Sequence, residues 1–101
     1  MIDKTEIERL VAMELEEANE VYPLFASDHE AYAVIKEEVE EAGVEAEQVS
    51  FCLKILWSNI KANKHDLAKQ YKAMKEAAVR QIQECIQVCA MCDKAIMSRE
   101  K

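Results

Sequence analysis

The sequence predicts an all-α fold, a helical bundle of long antiparallel helices assembled as an oligomer, and three observations carry the prediction. One Gly and one Pro in 101 residues leave little of the turn chemistry that hairpins, Greek keys or a phosphate-cradling glycine loop require. Apolar residues recur at spacings of three and four along most of the chain, the period of an amphipathic helix. Half of the residues are apolar and a third are charged, the balance of a chain that folds rather than one that stays disordered. Residues 1–101 are one domain's worth, a single helical domain with no room for a second core.

The first helix is expected from about Asp3 to Glu20, where Ile7, Leu10, Val11, Leu15 and Ala18 share a face, with Tyr22 next on it and Pro23 closing the element. Leu24, Phe25 and Ala26 form a short connector. Ser27, Asp28, His29, Glu30 then reads as a capping box, with Ser27 accepting a backbone N–H and Glu30 reaching back. The second helix carries Ala31, Tyr32, Ile35, Val39 and Ala42, and its pattern resumes after Gly43 at Val49, Cys52, Leu53, Leu56 and Ile60. Gly43, costing about 1 kcal/mol in a helix, is expected to bend this element at most. Asn63 to Asp66 reads as a turn with Asp66 capping a last helix that runs to about Ser98.

Helices of roughly 35 and 33 residues are each about 50 Å long, whereas a compact 100-residue domain has a radius of gyration of about 13 Å. Such rods overhang a monomeric core. From Cys85 to Cys92 every residue but Gln87 is apolar, more than one buried face requires. Both features predict a homodimer or homotetramer with the last helix buried between chains. Cys85, Cys89 and Cys92 fall at i, i+4 and i+7 on one face, where free cysteine packs as a small hydrophobe. No apolar run reaches the roughly 18 to 20 residues of a membrane span, and Met1 to Leu10 is polar and unlike a signal. A cytoplasmic protein without a membrane is therefore expected.

Charge is divided along the chain: residues 1–50 hold 15 acidic and 3 basic side chains, and residues 51–101 hold 5 and 10. Two readings fit, helical faces of opposite sign packed together, or a metal on the acidic half and phosphate on the basic half. The acidic total disfavours nucleic acid as a partner. With no glycine loop, nucleophile elbow or Ser/His/Asp order, P-loop and covalent hydrolase chemistry are excluded.

Two glutamate groups stand out. Around the second helix, with Tyr32 at zero, Glu38 falls near 240°, inside the apolar arc, and Glu41 about 60° further round at its edge, while Glu37 and Glu40 point away. A carboxylate on a core-facing stripe is costly unless paired, protonated or bound to a cation. On the last helix Arg80, Glu84, Gln87 and Met91 line one flank beside Val88 and Ala95. There Glu84 and Gln87 need a partner, which an inter-helix hydrogen bond or an Arg80–Glu84 pair would supply. Lys61 and Arg80 are the basic side chains expected to meet phosphate, and Trp57 is expected in a core or interface.

Glu37-Glu38-x-x-Glu41 on one helix and Glu84-x-x-Gln87 on a later one resemble the paired motifs of the all-α nucleoside triphosphate pyrophosphohydrolases, the MazG-like and dimeric-dUTPase-like superfamily. The segments from His29 to Glu38, Leu56-Trp57 with Lys61 and Asn63, and Glu84 to Met91 are similar to small MazG-like proteins, so the resemblance runs from Ser27 to Lys94. It implies an all-α NTP pyrophosphatase-like fold and a Mg²⁺-dependent (Mn²⁺-compatible) nucleotide pyrophosphohydrolase, cleaving a (d)NTP to (d)NMP and pyrophosphate. By position it implies Glu38 and Glu41 as the first metal pair, Glu84 as the third ligand, and Glu37 as an auxiliary base or outer carboxylate. Gln87 stands where the superfamily usually has aspartate; its amide oxygen ligates a hard cation without adding charge. The alternative is a non-catalytic MazG-like helical oligomerisation or partner-binding module.

Overall fold

The computed structural model describes residues 1–100 as three helices and, among those residues, no strand: α1 Lys4–Val21, α2 Asp28–Lys61 and α3 Ala68–Arg99. The all-α expectation holds, with boundaries within two residues of those read from the pattern. Asp3 caps α1 by accepting the Glu6 N–H at 3.0 Å, and Ser27 caps α2 by accepting the Glu30 N–H at 3.1 Å. Through Gly43 the helix continues without interruption.

α2 ends on a left-handed Asn63 (φ 57°), with Lys64 N–H donating to Asn59 O and Asn63 N–H to Ile60 O. This pairing satisfies the last carbonyls of α2, with asparagine in the place usually taken by glycine. The expected cap of α3 is corrected: Leu67, not Asp66, occupies the cap position, and no side chain bonds the first turn. Asp66 lies one residue before the cap position.

α3 is the central element. α2 packs antiparallel along it and α1 packs parallel to its C-terminal half, while α1 makes no close backbone approach to α2 among the described residues. The orientation of α1 is set where Asn19 meets Met97 and where Leu10 and Met13 lie beside Gln83 and Ile86. A groove is therefore left between α1 and α2, floored by α3. At one end the connector is tied down by Phe25 N–H donating to Ser98 Oγ at 2.8 Å, and Asp28 pairs with Arg99 at 2.8 Å.

The chain is 60 × 27 × 20 Å with a radius of gyration of 17.6 Å, against about 13 Å for a compact chain of this length. Its buried apolar residues are Val11, Phe25, Ala31, Leu56, Ala77 and Ala90. Three of those six are alanines, which let α2 and α3 approach closely but bury little area each. Beyond the end of α1 the α2–α3 hairpin projects as a two-helix arm with Phe51, Trp57 and Tyr71 exposed. Among the described residues no helix is long and apolar enough to cross a membrane.

Candidate functional site

The buried face of α2 is centred on Glu38. Ala31 is buried and Val34, Ile35, Glu38, Ala42 and Glu45 are half-buried, whereas Tyr32 and Val39, which belong to the apolar arc by hydropathy, are exposed. The buried arc thus lies about 60° round from the hydropathy maximum, where Ala31, Ala42 and Ala46 are small enough for α3 to approach. Glu38 and Glu41, one turn apart, are carried to the α3 side, where Glu84 meets them.

One carboxylate oxygen from each of Glu38, Glu41 and Glu84 lies within 4.8 Å of the others. Glu38 Oε2 and Glu84 Oε2 are both buried with no hydrogen-bond partner. Burial, followed by the charges of Glu41 and Glu84, pushes the Glu38 carboxyl up to about 7. Contact with Glu84 pushes Glu41, which is exposed, up as well. The orphaned oxygens of Glu38 and Glu84 and the like charges together oppose full ionisation, which a shared proton or a cation would relieve, while Glu41 remains open to solvent. Hard carboxylate oxygens suit Mg²⁺, Ca²⁺ or Mn²⁺, so the donor set fits a divalent cation.

The cluster is bounded on one side by an ion pair. Arg80, one turn before Glu84, donates to Glu45, one turn after Glu41, at 2.8 Å. The Arg80–Glu84 pair raised by spacing alone is therefore replaced by a cross-helix pair, which leaves Glu84 to the cluster. On the other side lies a cleft of about 680 Å³ between the three helices, lined by Glu37, Glu38 and Gln87 at the cluster end. Glu14 and Glu17 of α1 and Glu30 of α2 add three more carboxylates to its walls. Glu30, expected to reach back to Ser27, faces this cleft as well.

Other side chains fall elsewhere. Lys61 lies 5.5 Å from the Trp57 ring centroid, 23 residues along α2 from Glu38, a distance of about 35 Å. It is not brought to the cluster within one chain. Met91, counted with the inter-chain girth of α3, lines the cleft. Cys85, Cys89 and Cys92 are exposed on the opposite face of α3, where partial burial and the neighbouring thiols push Cys89 up.

Sequence reasoning missed Lys94. It is 2% exposed and lines the cleft, with its ammonium 5.1 Å from the Phe25 ring centroid and 6.0 Å from that of Tyr22. The signal was present: Glu84, Gln87, Met91 and Lys94 follow one stripe at i, i+3, i+7 and i+10. The contribution of α1 was not readable, because nothing in the pattern says which helix faces the carboxylates.

No protein-family model, curated protein or solved structure matches this chain.

Proposed function

We propose that this chain is a Mg²⁺-dependent nucleotide pyrophosphohydrolase, cleaving a (d)NTP to (d)NMP and pyrophosphate, with Mn²⁺ able to substitute. The observation that carries the reading is the convergence of Glu38, Glu41 and Glu84 with two orphaned buried oxygens at the edge of a nucleotide-sized cleft. The motif resemblance to the MazG-like proteins supports the same reading.

In this mechanism Glu38, Glu41 and Glu84 would hold the cation, and Gln87, which lines the adjoining cleft, would offer an amide oxygen. Magnesium supplies charge neutralisation of the phosphates and polarisation of a water. Glu37 lines the cleft beside Glu38 and would accept a proton from attacking water. The Arg80–Glu45 pair holds α2 and α3 together next to the cluster. Because the walls carry Glu14, Glu17, Glu30 and Glu37, a bare triphosphate is repelled, and entry of substrate depends on its counter-cation.

The working form is a homodimer or homotetramer. Ile82, Cys85, Cys89, Cys92 and Ile96 fall at i, i+3, i+7, i+10 and i+14 on α3, a coiled-coil seam spacing. All five are exposed on a single chain. The same stripe, with the neutral Gln87, also supports the second reading, a non-catalytic oligomerisation or partner-binding module.

Adding Mg²⁺ or Mn²⁺ to the metal-free protein is expected to raise its melting temperature by linkage, and one or more of a panel of (d)NTPs should yield pyrophosphate. If neither the wild type nor Gln87→Asp shows a melting shift or pyrophosphate release, the enzyme reading falls and the binding-module reading replaces it.

A further inference from the structure

Lys94 is a nine-tenths-buried cation that opens onto the cleft, and its role is not explained by packing or by the carboxylate cluster. Among the described residues it has no ion pair or side-chain hydrogen bond; its ammonium is met by the faces of Phe25 and Tyr22. Burying an ammonium is expensive unless it is paired and hydrogen-bonded, and ring faces return only part of that cost. The group is held in place by its surroundings: Ala31 and Ala90 are buried nearby, and Phe25 is fixed to Ser98, whose hydroxyl donates to the Lys94 carbonyl at 2.8 Å. A lysine in this position presents three donors and no acceptor.

Lys94 lies ten residues beyond Glu84 on the same stripe of α3, a separation of about 15 Å. The two ends of the cleft differ in chemistry. One end carries the carboxylates, suited to a cation and its phosphates. The other carries Tyr22, Phe25, Val21 and Met91 around one ammonium, with the Glu30 carboxylate at the same end, walls suited to a flat, weakly polar ring bearing an acceptor atom. Tyr22 is 67% exposed, so a face of its ring is open to stacking. A phosphate placed at this end would be surrounded by apolar and aromatic walls and by the acidic rim.

We propose that Lys94 reads the nucleobase, donating a hydrogen bond to a base carbonyl while the base stacks against Tyr22, so that carbonyl-bearing bases are preferred over adenine. This rests on the nucleotide reading of the cleft but not on turnover. Adenine accepts only through ring nitrogens, N7 among them beside the N6 amino donor that an ammonium opposes, whereas guanine, uracil and cytosine each offer a carbonyl oxygen to the ammonium. A charge-assisted bond to a buried ammonium accounts for a discrimination of about tenfold or more.

The test is calorimetric titration with GMP, UMP, CMP and AMP in the presence of Mg²⁺. Wild type should bind AMP at least about tenfold more weakly than the best of the others. Lys94→Met should lose that distinction by weakening the carbonyl-bearing nucleotides and leaving AMP unchanged. Its melting temperature should stay level or rise, since an apolar side chain of similar length replaces a buried charge. Tyr22→Ala should weaken all four, as loss of stacking does. Equal affinity of wild type for AMP and the rest would overturn the proposal, and so would a uniform loss across all four nucleotides in Lys94→Met, the signature of phosphate binding. Pyrophosphate release with a Lys94-independent base preference removes this inference and leaves the enzyme reading standing. Lys94-dependent nucleotide binding without pyrophosphate release does the reverse.

Discussion

At the scale of single residues, Glu38 is the most informative side chain. Its carboxyl is pushed up to about 7 from the usual 4.5, chiefly by its partial burial and then by the adjoining charges of Glu41 and Glu84. A raised carboxyl means that the folded state holds the proton more tightly. Its contribution to stability is therefore full below about pH 4.5 and is lost as pH rises to about 7. Thermal melts of the metal-free protein should show this decline, and Glu38→Gln should remove it while abolishing turnover. Mg²⁺ affinity should strengthen over the same pH interval, because the cation displaces the proton. Gln87→Asp makes the opposite exchange: a fourth carboxylate lowers the melting temperature without metal and enlarges the shift that Mg²⁺ produces. A Gln87→Asp protein with an unchanged Mg²⁺ shift would remove position 87 from the ligand set.

At the scale of elements, the three helices do different jobs. α2 is continuous across Gly43, and a Cβ placed there meets nothing within 4 Å. Gly43→Ala should therefore stabilise the protein by roughly 0.5–1 kcal/mol in denaturant titrations, from helix propensity and reduced freedom of the unfolded chain. α3 has two faces with separate tasks. Glu84, Gln87, Met91 and Lys94 turn inward, and Ile82, Cys85, Cys89, Cys92 and Ile96 turn outward. If copies associate along the outward face, Ile82→Glu should dissociate them with the helical content of each chain retained, as circular dichroism and light scattering together would show. Met91→Glu should act instead on the cleft, since Met91 lies within the chain. Dissociation by Met91→Glu and not by Ile82→Glu would assign the interface to a different face.

At the scale of the whole molecule, the disparity between length and core governs behaviour. A rod 60 Å long with a radius of gyration of 17.6 Å buries few large side chains, and a single chain of this kind is only marginally stable. Association of copies along the exposed face of α3 would add the missing burial. Light scattering at micromolar concentration should therefore give two or four times the 11.6 kDa chain mass, with a melting temperature that rises with protein concentration. A monomer with a concentration-independent melt would show that the exposed stripe does not pair with a second copy of the chain.

The sequence by itself determined the three helices, their ends at Ser27 and Pro23, and the pairing of Glu38 with Glu41, because helical periodicity and caps are local properties of the chain. It also placed Glu84 and Gln87 on one flank of α3. Only the tertiary structure decided that Glu84 meets Glu38 and Glu41 within 4.8 Å while Arg80 is taken by Glu45, since those choices depend on the register between two helices. Likewise the burial of Lys94 against two rings and the acidic wall supplied by α1 came from packing. A lysine's long apolar stem fits a buried or a solvated face equally well, and the difference is set by which rings and helices surround it.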